Sequence, residues 1–550
     1  MQSGAHRRVA GATVLMMAGI LLSRVLGLIR DRVIAHRFGQ GIETDVYNAA
    51  FTVPDLLFFL IAGGALSSAF IPVFTEYIAH GQEREAWRIF SAVASVMLVV
   101  VGALVLLCEL LAVPLVILTN PGYLAPLHTT HPDLSFLALT YQVSIGALPM
   151  PEKVVQTVAL TRVLLPAQLC FFLGGLMMGT QTARGLFAGQ AFGPCIYNLG
   201  IILGGLLLAP RLGVMGLCYG AVAGAFAGNL ALQWYLVRRS GGYFVRGSLR
   251  RYLRHPGVRR VGALMLPVLL GLALPQVSTI VGKMFASALG DGPQSALMNA
   301  NRLMQVPLGI FAQAAAIAIF PTMATQAARK ELGALRASVN FGIRSILFLT
   351  LPSSLMMWAL ALPIVQLLLQ SGAFTSVDAR LTADVLRWFA IGIFAWSAHA
   401  IIARGFYALQ DTRTPVLVGT AITLIFVPLN WPLMRWMGVN GLALATSIAA
   451  TLHMLVMLLL LRRRLGGLDD SALGRSIGRS TFLSCLVATV CYGIYTGLDA
   501  LLIERVPSVT GRSGLVLLAC LVVGSTLYLG MAIALRMEEA RLLLRALRRR

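Results

Sequence analysis

The sequence predicts an all-α polytopic membrane protein with about fourteen transmembrane helices, arranged as two six-helix repeats plus two C-terminal helices. Composition is the first reason: 58% of the 550 residues are hydrophobic, 12% are charged, and the mean hydropathy is +0.81. Apolar runs of membrane-spanning length are the second, and motifs that recur in the same order in both halves are the third. Such a chain is too apolar for a soluble globular fold.

Each predicted helix is an apolar run of about 20 residues, the length that crosses the hydrocarbon core. The first run follows Arg7 and Arg8, as in a signal peptide, but it continues into Arg24 without a convincing cleavage site. We therefore interpret it as a permanent helix. The predicted segments are 10–33, 44–78, 89–119, 154–180, 190–209, 214–237, 261–289, 296–327, 341–370, 381–403, 413–434, 438–461, 480–503 and 513–536.

The charge balance predicts topology. The chain has 44 Lys and Arg against 21 Asp and Glu, a net charge of +23. A nucleic-acid binder would concentrate this charge on a soluble domain, and because none is predicted we expect no nucleic-acid partner. Placing both termini in the cytoplasm puts most loop cations on the cytoplasmic side, as is usual. The basic clusters at 238–260 and 536–550 fit this topology, with specific binding of anionic membrane lipids as the alternative.

Three motifs occur twice in the same order, which predicts an internal duplication. The pairs are N-A-A-F-T-V-P at 48–54 with N-R-L-M-Q-V-P at 301–307, R-G-L-F-A-G-Q at 184–190 with R-G-F-Y-A-L-Q at 404–410, and G-V-M-G-L at 213–217 with G-V-N-G-L at 438–442. The predicted parts are a six-helix bundle at 1–238, a basic cytoplasmic linker at 239–260, a second six-helix bundle at 261–463, and helices 13 and 14 with a basic tail at 464–550.

The first repeat is longer than the second, and we assign its extra residues to an outside loop at 120–153. Because the second repeat has no such segment, we expect residues 124–150 to be dispensable for folding.

Four cations fall within predicted helices that open the two repeats: Arg24, Arg30, Lys283 and Arg302. An arginine or lysine near the bilayer centre costs roughly 2.5 to 3.5 kcal/mol on insertion scales. We therefore expect these side chains to line a basic cavity for an anionic ligand. The alternative is local pairing, of Arg30 with Asp31 or of the other arginines with backbone carbonyls.

Glycines and prolines predict bends in the same helices. The candidate gating or hinge residues are Gly27, Pro54, Gly63, Gly64 and Pro307.

The sequence offers little for covalent chemistry. Its cysteines have no paired metal-ligand spacing, and we interpret His128 and His131 of the 120–153 loop as ordinary loop residues, with metal ligands as the alternative, so no metal and no cofactor is expected. A membrane-embedded glycosyl or phosphoglycosyl transferase would need clustered carboxylates, and none is apparent. The scarcity of acidic residues in the helices also leaves no recognisable site for a coupling ion.

Several motifs in the chain resemble those of the MurJ (MviN) family of lipid II flippases, within the multidrug/oligosaccharidyl-lipid/polysaccharide exporter superfamily. They are S-R-V-L-G-L-I-R-D, T-D-V-Y-N-A-A-F-T-V-P-D-L-L, G-A-L-S-S-A-F-I-P-V-F-T-E-Y, N-R-L-M-Q-V-P-L-G and R-G-F-Y-A-L-Q-D-T-R-T-P. The resemblance implies two six-helix bundles around a cavity lined by helices 1, 2, 7 and 8, and a groove for a polyprenyl tail at helices 13 and 14.

Matching motifs place the family's substrate-binding residues on Arg24, Arg30, Asp45 and Arg302. Asp45 would orient an arginine or bind a sugar, or else act as a helix N-cap. The chain departs from the family pattern at Phe58, Gly63 and Gln305, and Phe58 replaces an arginine. We predict that Lys283 supplies the missing charge to the substrate diphosphate, the alternative being a lysine that only anchors its helix at the interface.

The resemblance implies a flippase, not an enzyme, that moves lipid II by alternating access during peptidoglycan synthesis. Lipid II, an undecaprenyl-diphosphate-linked glycopeptide, would pass from the inner to the outer leaflet of the bacterial cytoplasmic membrane, with cell-wall synthesis proteins as candidate partners. The alternatives are export of another polyprenyl-diphosphate-linked oligosaccharide, drug/cation antiport, and an inactive scaffold for cell-wall assembly.

Overall fold

The computed structural model describes residues 2–61, 65–253 and 255–542, and within these ranges it leaves undescribed the side chains of 2–15, 17, 60–61, 65–68, 249, 266–277, 313–314 and 317. The described residues are helical almost throughout, as predicted. They divide into two compact units, Met1–Asp291 and Gly292–Arg550. The Pro256–Ala286 helix, which opens the second repeat in the sequence, belongs to the first unit, while the predicted division at 239–260 stays a prediction.

The helices of the first unit are separated by short turns and by two π-helical segments, Gly204–Leu208 and Phe226–Ala231. Its α-helices are Gln2–Phe38, Ile42–Ala50, Thr52–Ile61, Ala65–Ala79, Glu83–Leu110, Ala112–Thr119, Ala125–Thr130, Phe136–Ser144, Glu152–Leu164, Ala167–Ala183, Ala188–Leu203, Ala209–Leu212, Val214–Ala225, Leu232–Arg239, Leu249–Leu253 and Pro256–Ala286, with 3₁₀ turns at Pro121–Leu124 and Ser287–Leu289.

The second unit contains one π-helical segment among its described residues, Leu308–Ala312. Its α-helices are Pro293–Pro307, Gln313–Ala328, Leu332–Ala359, Ala361–Leu368, Ser376–Ala390, Ile393–Ala408, Arg413–Met437, Val439–Arg464, Asp470–Leu502 and Val509–Ala534.

Within the described part of the chain, nine helices are long and apolar enough to cross a membrane, and the bent pair Ser376–Ala390 and Ile393–Ala408 makes a tenth. These ten correspond to ten of the fourteen predicted segments. The other four are 10–33, 44–78, 261–289 and 296–327; the segment 44–78 includes residues outside the described ranges, and each of the four includes residues whose side chains are not described. The polytopic helical fold is therefore confirmed.

Two glycines support the predicted duplication. Gly213 and Gly438 precede equivalent helices in the repeats, and their backbone angles nearly coincide, at φ 57°, ψ −144° and φ 60°, ψ −137°. Side-chain-bearing residues rarely adopt this region, which explains why both repeats use glycine at this point.

The 120–153 segment is more ordered than a surface loop. It contains the helices Ala125–Thr130 and Phe136–Ser144, and its side chains Leu124, Leu139 and Val143 are fully buried. They pack with residues of the neighbouring Ala112–Thr119 and Glu152–Leu164 helices in one apolar cluster. The expectation that 124–150 is dispensable for folding is at odds with this packing, because a deletion would open that cluster.

Candidate functional site

Arg30 is held by two neighbours in the first unit. Its Nε and Nη2 donate to Oδ1 of Asp31 at 3.0 and 2.9 Å, and its Nη1 donates to Oδ1 of Asn198 at 2.9 Å. The Asn198 amide in turn donates to the backbone carbonyl of Ser23 at 3.2 Å. The local pairing considered from the sequence is thus present for Arg30, and it fixes the guanidinium on its helix.

Arg24 lies on the same helix, Gln2–Phe38, in a different environment. Its side chain is exposed, and it forms no hydrogen bond or ion pair with any other residue in the described part of the chain. Six residues on a helix separate the two arginines by about 120°, so they lie on the flanks of one broad face. One arginine is fixed by protein partners and the other is open to a ligand.

Asp45 is buried in the first turns of the Ile42–Ala50 helix. That helix begins after Gly41, whose backbone N–H donates to Oγ1 of Thr44 at 3.0 Å, so Asp45 is not its N-cap and that alternative is wrong. Asp45 acts on Tyr123 instead: burial raises the pKa of this phenol, and the negative charges of Asp45 and Asp291 raise it further. Asp45 therefore faces the 120–153 segment of its own unit.

Lys283 is buried, with 4% of its side chain exposed. Its Nζ donates to the backbone carbonyl of Asn48 at 3.1 Å and to Oγ1 of Thr52 at 3.2 Å. Asn48 lies in the last turn of the Ile42–Ala50 helix, where carbonyls lack partners within the helix and a cation is favourable. In this structure Lys283 therefore binds protein groups within the first unit and is not an exposed interfacial anchor, while its contact with a substrate diphosphate stays a prediction.

Lys283 lies beside a break between two helices, and this break coincides with the bend predicted at Pro54. The Ile42–Ala50 helix stops at Phe51, and the next helix, Thr52–Ile61, carries Pro54 in its first turn, where a missing N–H is tolerated. At Gly27, by contrast, the Gln2–Phe38 helix continues unbroken. The predicted hinge residues Gly63 and Gly64 lie outside the described residues.

In the second unit, Arg302 lies on the Pro293–Pro307 helix and is half-buried. Pro307 ends this helix, and the π-helical segment Leu308–Ala312 follows directly. Proline and π-helical turns are both recognised causes of bends, so the prediction of a distortion at Pro307 fits this geometry. Gln305, which departs from the family pattern, donates from Nε2 to Oδ1 of Asn301 at 3.1 Å.

Phe58, where the family pattern has an arginine, packs in an aromatic cluster. Its ring lies edge-on to Phe59 and Phe171, with centroid distances of 5.6 and 5.5 Å. Tyr197 extends the cluster at 5.2 Å from Phe171. Apolar packing therefore replaces a cation at this point.

Sequence reasoning did not identify Asn48, Thr52 or Asn198 as partners of the intramembrane cations. No sequence periodicity relates residues as far apart as Arg30 and Asn198, whose contact depends on helix packing. Among the described residues, no group of three or more His, Cys, Asp or Glu side chains could hold a metal ion. The arrangement in the first unit is suited to binding an anion.

Comparison with known proteins identifies the family of the chain. The family model described as "Lipid II flippase MurJ" matches residues 34–502. A relative from Burkholderia cenocepacia, named "Lipid II flippase MurJ", is 28% identical over 520 residues, covering 93% of this chain and 94% of its own length. One from Vibrio cholerae serotype O1, named "Probable lipid II flippase MurJ", is 29% identical over 450 residues, covering 82% of each chain.

Solved structures share the fold. One titled "Lipid II flippase MurJ, inward closed conformation" superposes with a TM-score of 0.73 at 23% identity, covering 95% of this chain and 99% of that one. An inward-facing multidrug resistance MATE transporter of the MOP superfamily gives a TM-score of 0.61 at 16% identity, covering 84% and 99%. The family model spans most of the sequence, and this multi-pass membrane protein belongs to the lipid II flippase MurJ family.

Proposed function

We propose that this protein translocates lipid II from the inner to the outer leaflet of the bacterial cytoplasmic membrane by alternating access, with both termini in the cytoplasm. No covalent bond is made or broken in this reaction. The transported molecule is amphiphilic, so the protein must bind its charged diphosphate while the polyprenyl tail stays in lipid. The family of the chain supports this substrate.

One observation carries the proposal: Arg24 is exposed on an apolar helix and has no partner among the described residues. An arginine that serves only the fold would be paired, because an unpaired charge within a membrane is costly. An anionic substrate explains why this residue is present.

Arg30 can bind the same headgroup even though it is held by Asp31 and Asn198. A guanidinium has five N–H donors, and the three hydrogen bonds of Arg30 use three of them. The remaining donors suit a phosphate, which arginine binds by paired, charge-assisted hydrogen bonds. Arg302, in the second unit, is proposed as a further substrate contact. Asp45 is proposed to act through hydrogen bonding near the outer end of its helix.

A second candidate substrate is another polyprenyl-diphosphate-linked oligosaccharide. The aromatic cluster of Phe58, Phe59 and Phe171 favours it, because a headgroup that needs a cation at this point would lose that contact. The diphosphate cations would serve either substrate.

The proposal is tested by expressing the protein in a bacterial strain whose own lipid II flippase can be depleted. We expect the wild-type protein to sustain growth and peptidoglycan synthesis, and the Arg24→Ala variant to fail at equal membrane level. A wild-type protein that is present in the membrane but restores neither would overturn lipid II as the substrate. The amount of lipid II that accumulates in the inner leaflet while the strain's own flippase is depleted provides a direct chemical readout of failed transport.

A further inference from the structure

Two histidines of the second unit lie against each other inside the helical bundle. His399 is on the Ile393–Ala408 helix and His453 is on the Val439–Arg464 helix. Their ring centroids are 4.2 Å apart and the rings are tilted by 48°. Nine residues, or about 13 Å of helix, separate His453 from Arg462, so the pair lies well inside the apolar part of its helix.

Both rings carry a nitrogen whose bonding capacity is unused. The Nε2 atoms of His399 and His453 are shielded from solvent and have no hydrogen-bond partner among the described residues. A neutral imidazole has one N–H donor and one acceptor nitrogen. Buried polar atoms are normally paired, so two adjacent orphan nitrogens need an explanation.

A cavity of about 280 Å³ adjoins the pair on the His399 side. Its polar lining consists of His399, Arg404 and Tyr407, and Trp396 lies one helical turn from His399. A water molecule occupies about 30 Å³ in the liquid, so the cavity has room for several. The pair is therefore within reach of a route for protons.

No described carboxylate lines this cavity. On the same helix, the charged or titratable groups near the pair are Arg404 and Tyr407. The segments Leu308–Ala312 and Gln313–Ala328 contribute the apolar Leu308, Ala312 and Ala316, and the Arg413–Met437 helix places Gly419 beside His453. On the Leu332–Ala359 helix, Arg344 is paired with Glu538 and Glu539. The His399 imidazole is thus the available proton acceptor at the cavity, and His453 lies directly against it.

We propose that His399 and His453 form a proton-binding site that couples this transporter to a proton gradient. A proton adds to the free lone pair of one imidazole, and the new N–H⁺ donates to the free nitrogen of the other. A rotation about the soft χ2 torsion of either ring aligns the two. The charge-assisted bond uses both orphan nitrogens. The proton later leaves to water on the opposite side, and no other bond changes.

The coupling part of this inference rests on the proposed transport of lipid II, while proton binding does not. The test therefore has two arms, each using the purified full-length protein. The variants are His399→Gln and His453→Gln, with the exposed His128→Gln as the matched control. Gel filtration and thermal unfolding identify variants that misfold, and the Asn variant at the same position then replaces any that do.

The first arm titrates the histidine side chains by NMR with ¹⁵N-labelled histidine between pH 4 and 8. We expect one proton to bind the pair in a single step, and removal of either ring to abolish that step while His128→Gln leaves it intact. Independent titration of the two rings, or no titration at all, would overturn the site. A spectral change that needs added zinc would also overturn it, in favour of a metal site.

The second arm measures lipid II transfer in liposomes with and without an imposed pH gradient. We expect the gradient to speed transfer several-fold in the wild type and in His128→Gln. The pair variants should keep the slower rate and lose the stimulation. If the wild-type transfer rate is the same with and without the pH gradient, coupling is overturned and the proposed function stays intact. No wild-type transfer of lipid II under any condition would overturn both the proposed function and the coupling, while the NMR arm would still decide the proton site.

Discussion

Arg24 and Arg30 share one helix but differ in what holds them. Arg30 donates to Asp31 and Asn198, whereas Arg24 is exposed without a partner in the described part of the chain. The same residue type in the same helix therefore serves two purposes. Arg30 contributes to packing, and we propose that it also binds the substrate; for Arg24, substrate binding is the one proposed role.

This difference predicts unequal effects on stability. We expect Arg30→Ala to lower the free energy of unfolding by about 3 kcal/mol, because it breaks a largely buried ion pair. Arg24→Ala should leave stability unchanged, since it removes no protein contact. Thermal unfolding of both variants in the same detergent measures the difference, and equal stability of the two would contradict the assignment.

The buried position of Lys283 gives a second residue-scale prediction. Lys283→Ala should reduce membrane level and transport together, with a cost of about 2 to 3 kcal/mol for the lost hydrogen bonds and the cavity. Adding Phe58→Arg should give no rescue, because Lys283 binds Asn48 and Thr52. A double-mutant cycle on transport rate tests this. If the double variant transports faster than the two single effects predict, Lys283 compensates for the missing arginine at Phe58, as the sequence suggested.

At the scale of elements, the 120–153 segment contacts the turn that follows the C-terminal end of the Pro256–Ala286 helix within the first unit. The backbone N–H of Gly122 donates to Oγ of Ser287 at 3.1 Å, and Lys153 forms an ion pair with Asp291. Lys153 also lies over the ring of Tyr123, 5.3 Å from its centroid. The segment that lengthens the first repeat thus anchors the helix that opens the second.

Close packing at Gly122 makes this contact testable. A Cβ at this position would lie 2.3 Å from the carbonyl oxygen of Ser287 and 2.4 Å from the backbone of Ala288. Gly122→Ala should therefore separate the two turns and lower the unfolding midpoint. Gly102→Ala, where a Cβ meets nothing within 4 Å, is the control and should be neutral or slightly stabilising. Identical midpoints for the two variants would show that the contact is absent in the membrane.

At the scale of the whole second unit, a polar cluster attaches the two C-terminal helices. Glu539 accepts hydrogen bonds from Arg344 at 2.7 Å and from Ser476 at 2.8 Å. The rings of Phe348 and Tyr528 also pack against each other. The Tyr528 hydroxyl donates to the backbone carbonyl of Phe348 at 2.8 Å. Helices 13 and 14 are therefore fixed to the bundle beside the Leu332–Ala359 helix.

The polar cluster around Glu539 predicts that the stability of the fold depends on pH. Burial raises the pKa of Glu539, but hydrogen bonds from its own backbone, Ser476 and Arg344 outweigh burial, and the pKa is lowered. A lowered pKa stabilises the fold above the ordinary glutamate range, and the contribution is lost as the pH falls through the folded-state pKa. The unfolding midpoint should thus fall between pH 6 and pH 3 in the wild type, and fall less in Glu539→Gln.

Glu538→Gln is the matched control, because Glu538 pairs with the same Arg344 but is 64% exposed. Its pH profile should follow the wild type. A Glu539→Gln profile that coincides with the wild type would show that this carboxyl does not titrate on unfolding.

The sequence predicted the helical membrane fold because span length and hydropathy are properties of neighbouring residues. Glycines 213 and 438, likewise, were visible as a repeated local motif. Contacts between distant residues were not predictable: Lys283 reaches Asn48 across 235 positions, and Arg30 reaches Asn198 across 168. Such pairs depend on how helices pack, so the roles of Lys283 and of the 120–153 segment became clear only from the structure.

The central claim is that the protein moves lipid II and binds its diphosphate through Arg24. The most direct measurement is transfer of labelled lipid II between leaflets of liposomes that contain the purified protein. We expect transfer by the wild type and by Arg162→Ala, an exposed arginine used as control. Arg24→Ala should be slower by about tenfold or more, with partial recovery in Arg24→Lys. Wild-type transfer no faster than in protein-free liposomes, or an unimpaired Arg24→Ala variant, would contradict the account.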